Sequence, residues 1–171
     1  FPRANLKLIS KGLRPDGILT ICYPSGLDFP IPSFSTVYFI QMEEYIRFSG
    51  DTSLAIECYD VLDTIIHTFI NKIQDNGLIE NFYGEGGYWN FYEWSGSFLM
   101  GNDQLPGSMD LILNCLFLRA IDTMRTLAEL TGLPFDLSET AEPLRQQIRN
   151  TFRRHDGLYY TDTEKTHISQ L

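Results

Sequence analysis

Ser49-Gly50-Asp51 separates two long stretches of helical hydrophobic periodicity and leaves them almost no connecting chain. A glycine suits the left-handed residue that closes a helix, and an aspartate suits the cap of the next one. So short a break forces the two helices to lie side by side and antiparallel. The first is expected over about residues 34–48, with Ser33 as N-cap and a stripe of Phe34, Tyr38, Gln41, Tyr45 and Phe48. The second runs to about residue 74. Its stripe of Leu54, Cys58, Val61, Leu62, Ile65, Ile66, Phe69, Ile70 and Ile73 is wide enough for a largely buried helix.

The same pattern returns downstream. A third helix is expected over about residues 107–131, carrying Met109, Ile112, Leu113, Leu116, Phe117, Ala120, Ile121, Met124 and Leu127. Gly132-Leu-Pro stops it, and Asp136 or Ser138 caps a fourth helix to about residue 154, with Leu144, Ile148 and Phe152 inward. Residues 1–12 read as the last turns of another helix and residues 166–171 as the start of one more. Asp156-Gly157 is a turn signal, followed by a short extended piece over 158–160. The fold class is therefore all-α. Two complete antiparallel hairpins, about 34–74 and 107–154, stand between partial helices at both ends. Short turns at one end and long loops at the other suggest part of an α/α toroid, with the long loops lining one mouth. There is no short-period repeat of the solenoid kind.

The connection between the hairpins, roughly residues 76–105, is unusually long for a compact domain, and such loops are more often functional. It contains both tryptophans, in Asn81-Phe-Tyr-Gly-Glu-Gly-Gly-Tyr-Trp-Asn-Phe-Tyr-Glu-Trp-Ser-Gly-Ser97. Loops are normally polar. One this aromatic either buries its rings over the core or binds a ligand. Flat rings beside Glu85 and Glu93 suit a sugar, with its apolar C–H faces and polar hydroxyls.

Composition narrows the classes. A length of 171 residues fits one domain. A formal net charge of −9 argues against nucleic acid as a partner. The basic run Arg145, Arg149, Arg153 and Arg154 reads as the exposed face and C-terminal turn of the fourth helix. The three cysteines have no paired spacing, and Cys58 and Cys115 fall on apolar stripes, so both are expected as buried thiols. The histidines lack metal-ligand spacing, so no metal is expected. There is no phosphate loop, no dinucleotide fingerprint and no nucleophile elbow, so no cofactor is implied. No apolar run is long enough for a membrane span. No signal peptide is visible; the chain opens Phe-Pro-Arg without an initiator Met and reads as an excerpt of something longer.

Glycoside hydrolysis generally needs two carboxyls, one to protonate the leaving oxygen and one to activate water or attack. Glu80, Glu85, Glu93, Asp103 and Asp110 are candidates by position. Glu93 stands between Tyr92 and Trp94, where an apolar setting can raise a carboxyl's pKa. Glu43, Glu44 and Glu57 read as helix-surface charges.

Particular motifs then carry a resemblance. Arg14-Pro-Asp-Gly17, Thr20-Ile-Cys-Tyr-Pro-Ser25, Ile31-Pro-Ser-Phe34, Tyr45-Ile-Arg-Phe-Ser-Gly-Asp51 and Trp89-Asn-Phe-Tyr-Glu-Trp94 occur in that order. Asn114-Cys-Leu-Phe-Leu-Arg-Ala120 and the terminal His167-Ile-Ser-Gln-Leu171 follow. This order resembles the six-hairpin (α/α)6 catalytic domain of the bacterial α-L-rhamnosidase family over nearly the whole chain. The resemblance implies an inverting hydrolase acting on terminal α-L-rhamnose of glycosides or polysaccharides. It implies that the catalytic acid and base belong to motifs before Phe1 and after Leu171. It also implies that Trp89, Asn90, Glu93 and Trp94 belong to the substrate pocket. The family usually has Asp where this chain has Glu93, which bears on sugar selectivity. On this reading residues 1–171 are one incomplete segment of a catalytic domain, inactive alone. Such a segment should expose helix faces and self-associate. Another six-hairpin carbohydrate enzyme, or a non-catalytic helical module that binds glycan or protein, are the competing readings.

Overall fold

The computed structural model describes residues 1–92 and 109–160. Glu93, Trp94, Asp103 and the helix expected over 166–171 lie outside these. Six helices are present among the described residues: α1 (Pro2–Ser10), α2 (Pro32–Ser49), α3 (Ser53–Glu57), α4 (Tyr59–Ile70), α5 (Leu111–Thr131) and α6 (Ser138–Phe152). The described residues contain isolated β-bridges but no strand. The all-α expectation holds, and two helical hairpins are formed by α2 with α3–α4 and by α5 with α6.

The most extensive packing is between α2 and α5, one helix from each hairpin. These two run parallel. Near their N-termini Ser33 bonds to Phe91 and Asp110 to the adjacent Tyr92. Further along, Glu43 meets Arg119 and Thr123. The core lies between and beneath these helices, with Phe39, Met42, Ile65, Phe69, Phe117 and Ile121 each almost wholly buried. Phe69 stacks on Phe117 with ring centroids 5.4 Å apart.

α1, α4 and α6 each end in the same small device. Leu13 bridges Leu19, Ile73 bridges Ile79 and Arg153 bridges Tyr159. At each tip an Asx side chain accepts the N–H two residues on: Asp16 from Ile18, Asn76 from Leu78 and Asp156 from Leu158. The residue between is Gly17, Gly77 or Gly157, at φ of 81°, 79° and 85°. A side chain there would be strained. The repeat invisible as a sequence period is therefore present as structure. The first two devices feed the chain into the loop end of the helix pair.

Several expectations need correction. α2 begins at Pro32 with Ile31 as N-cap, so Ser33 lies inside the first turn and caps nothing. Its expected stripe is also misplaced. Phe34, Gln41 and Phe48 are exposed, while Ser35, Thr36, Phe39, Met42 and Ile46 are buried with Tyr38. The reason is that α2 packs on several sides at once and buries small and polar residues that find partners there. Ser35 Oγ, for example, accepts the N–H of Leu19 at 3.0 Å. Glu43, expected on the surface, is buried for the same reason. The second expected helix breaks at Cys58 into α3 and α4 and ends at Ile70; residues beyond it enter the turn device. Cys58 is buried as expected, but Cys115 on α5 is exposed.

Candidate functional site

The aromatic loop is tied to the N-terminal ends of both parallel helices. At α2, the N–H of Trp89 donates to Pro30 O at 3.1 Å, and Ser33 Oγ donates to Phe91 O at 2.7 Å. At α5, Asp110 Oδ2 accepts from Asn81 Nδ2 at 2.8 Å and from the Tyr92 hydroxyl at 3.0 Å. One turn into α5, Asn114 clasps the backbone of Ile79. Its Oδ1 accepts the Ile79 N–H at 2.7 Å and its Nδ2 donates to the Ile79 carbonyl at 3.1 Å. A third anchor comes from the first turn device, where the Tyr88 hydroxyl donates to Asp16 Oδ2 at 2.8 Å and Arg14 donates to Asp16 and to Gly86 O.

These ties sort the rings into two groups. Phe82 and Tyr88 turn inward: Phe82 packs 5.1 Å from Phe69 and 5.3 Å from Tyr88. Tyr88 lies so close over Gly86 that a Cβ there would overlap its ring, which is why the loop is glycine-rich at this point. The second group gathers over the start of α2. Trp89 lies 4.5 Å from Phe91 and 5.9 Å from Phe29, and Phe34 meets Phe91 edge-on at 6.3 Å. Trp89 and Phe29 are partly exposed, Phe34 is exposed, and Phe91 is the buried floor. The loop thus does both things its composition allowed: one group of rings packs on the core and the other presents a partly open aromatic surface.

Of the candidate substrate residues, Trp89 sits in that surface. Asn90 lies below it, fully buried, with Nδ2 donating to Phe82 O at 2.8 Å. Its Oδ1, like that of Asn81, is buried with no hydrogen-bond partner. Glu93 and Trp94 lie outside the described residues. Phe29 and Phe34 were missed in the sequence, Phe34 because its spacing assigned it to the core. Only the exposure of the adjoining loop face reveals its position.

The carboxyls differ in setting. Glu80 is buried and Glu85 exposed. Burial alone would push Asp16 upward, but Arg14, the Tyr88 hydroxyl and the Ile18 N–H outweigh it and hold the carboxyl below its ordinary range. A carboxyl held ionised in this way orients and anchors rather than donating a proton. Tyr88 is pushed up to about 12, by burial and then by its bond to Asp16, so it stays a hydrogen-bond donor. Among the described residues no group of three or more His, Cys, Asp or Glu is arranged to hold a metal ion. No helix among them is long and apolar enough to cross a membrane.

A family model described as the bacterial alpha-L-rhamnosidase six-hairpin glycosidase domain matches residues 1–171. The chain belongs to this family. Among solved structures, the chain is similar to a GH78 family rhamnosidase of Bacillus sp. GL1, with a TM-score of 0.77 and 19% identity. The match covers 94% of the present chain and 16% of that one. At this identity the likeness shows the fold, and the parallel α2–α5 pair with its loops at one end is part of it. No curated protein matches the chain.

Proposed function

We propose that the chain contributes part of the sugar pocket of an inverting glycoside hydrolase that removes terminal α-L-rhamnose from glycosides or polysaccharides. The observation that carries this reading is Trp89, partly exposed between Phe29 and Phe91 at the loop end of the two parallel helices. Aromatic faces held on a rigid scaffold suit the C–H face of a sugar, and neighbouring polar groups suit its hydroxyls. In this reading Trp89, Glu93 and Trp94 contact the sugar. Asn90 supports them from below, where its bond to Phe82 O sets the loop's path. Residues 1–171 form one incomplete segment of the catalytic domain, and both catalytic carboxyls come from outside it. The held-down Asp16 agrees with this, because it is unsuited to acid catalysis.

The test is hydrolysis of an aryl α-L-rhamnoside by this chain and by a form extended with its natural flanking sequence, each with and without Trp89→Ala. Activity confined to the extended form, reduced at least about tenfold by Trp89→Ala, is expected from the loss of one stacking face. Unchanged kinetics in the variant would remove Trp89 from the pocket. Inactivity of both forms on rhamnosides would defeat the substrate assignment. The segment reading also predicts that this chain self-associates through exposed apolar residues of α1 and α2, such as Leu8 and Phe48, the latter 92% exposed. A concentration-independent monomer in sedimentation would count against it.

A further inference from the structure

Nine arginines lie among the described residues, and six of them, Arg3, Arg14, Arg47, Arg119, Arg125 and Arg145, each face a carboxylate. The remaining three, Arg149, Arg153 and Arg154, form no ion pair among the described residues and line a single pocket of about 500 Å³. Gln146, Asn150 and His155 complete its polar wall. In a chain of net charge −9, three guanidiniums that meet at one open pocket without an ion pair among the described residues are not explained by a favourable helix end alone. That effect is confined to the last turn and requires no shared pocket.

The third turn device shows how one of these cations is placed. In the first two copies the bridge joins aliphatic residues, Leu13 with Leu19 and Ile73 with Ile79. In the third it joins Arg153 with Tyr159. Where the other copies carry a half-buried aliphatic residue, Leu13 or Ile73, here the turn presents a cation, held in place by a bond from Arg153 Nε to Gly157 O at 3.4 Å. The backbone device is intact, so the change alters what the surface offers and leaves the turn itself alone.

We infer that this pocket binds the carboxylate of an acidic saccharide. Guanidinium forks match a planar carboxylate in paired hydrogen bonds, and the polar walls suit hydroxyls. The volume accommodates a sugar ring in addition to the anion. The turn devices that end α1 and α4 lead into the loops around Trp89, and the third ends α6 at the same end of the molecule. The pocket is placed to hold a charged residue of a glycan. The saccharide part of this inference rests on the proposed glycosidase function; the anion part does not.

Calorimetric titration of the full-length protein with a galacturonate trisaccharide, a neutral maltotriose, inorganic sulfate and duplex DNA tests the inference. Galacturonate binding should weaken as salt rises and should fall at least about tenfold in R149Q/R153Q/R154Q, from the loss of charge-assisted bonds. R145Q, whose charge faces Asp122, should bind as the unmodified protein does. Circular dichroism checks that the triple variant, altered at exposed side chains, remains folded. No galacturonate binding, or equal binding by the triple variant, overturns the site. Equal affinity for inorganic sulfate, or tighter binding of DNA, overturns the saccharide assignment. Hydrolysis of an uncharged aryl rhamnoside should be the same with and without the triple change, so failure of the hydrolase reading and failure of this site give different results.

Discussion

At one end of the helix pair the chain reverses on contacts a few residues long. Gly50 and Gly132 close α2 and α5 in the left-handed conformation, and Asp51 and Asp136 each accept the N–H two residues on, from Ser53 and Ser138. At the other end the loops are held by bonds between residues 35 and 58 positions apart, Ile79 with Asn114 and Ser33 with Phe91. The first end turns on local chemistry, to which distant side chains add ties: Arg3 donates to Asp51 and Ser53, and the Tyr59 hydroxyl donates to Pro134 O. The second exists only once both hairpins have docked. Closing the loop there carries an entropic cost that a handful of side-chain-to-backbone bonds must offset. Each of those bonds should therefore matter more than a cap at the opposite end, and the exposed rings that carry the proposed function depend on them.

The largest expected difference lies at Asn114, which is fully buried and satisfies both backbone groups of Ile79. Asn114→Ala strands a buried N–H and a buried C=O and should cost about 3 kcal/mol in urea unfolding. At the other end α6 has Leu137 as its N-cap, so neither Asp136 nor Ser138 caps it as expected; Asp136→Ala there removes two exposed bonds, from the Ser138 N–H and hydroxyl, and should cost about 1 kcal/mol. Similar losses in the two variants would break the contrast between the ends.

Glu43 tests the seam between them. Its carboxylate is buried, and it accepts from Arg47 at 2.8 Å, Arg119 at 2.8 Å and Thr123 at 3.0 Å. Burial pushes its pKa upward, but Arg47, Thr123 and Arg119 together hold it below the ordinary value. A carboxyl with a depressed folded-state pKa contributes stability that is complete above the unfolded pKa and is lost as pH falls through the folded one. Glu43→Gln should cost about 2 kcal/mol at pH 7, less than a fully buried pair would, because Arg47 and Arg119 are 61% and 46% exposed and recover hydration. It should also flatten the acid-side fall in stability below about pH 4.3, the ordinary glutamate value. An unchanged acid limb would mean that Glu43 does not titrate in the folded protein as its surroundings require.

The same contrast decides what could be read from the residues. Ser49-Gly50-Asp51 and Gly132-Leu-Pro announced the reversals because local stereochemistry alone determines them. Leu144, Ile148 and Phe152 announced the buried face of α6 because that helix buries one side only. α2 misled because it is covered on several sides: Ser35 and Glu43 are buried with partners distant in sequence, while Phe34 and Phe48 stand in solvent. Trp89 was legible as a candidate site residue because aromatic rings in a glycine-rich loop are unusual. Its neighbours Phe29 and Phe34 were not, since their meeting with Trp89 and Phe91 depends on docking the loop onto α2. Asp156-Gly157 was legible as a turn, but its kinship with Asp16-Gly17 and Asn76-Gly77 was not, because the shared Asx–Gly geometry is carried by different residues around it.

The finest test compares two glycines in the same conformation at opposite ends. Gly17 and Gly50 have φ of 81° and 71°. A Cβ on Gly50 would meet nothing within 4 Å, so Gly50→Ala should cost about 1 kcal/mol, the strain of the left-handed residue alone. A Cβ on Gly17 would overlap Thr68 Oγ1, which donates to Thr64 O at 2.9 Å. Relief requires Thr68 to turn and give up that bond, raising the expected cost of Gly17→Ala to about 2 kcal/mol. Adding Thr68→Ala removes the overlap, so the double variant should be about 1 kcal/mol more stable than the sum of the two single losses indicates. If Gly17→Ala costs no more than Gly50→Ala, the turn device at the loop end is not held by close approach to α4. The distinction between a locally built end and a tertiary one would then fail at the point where the chain enters the loops around Trp89.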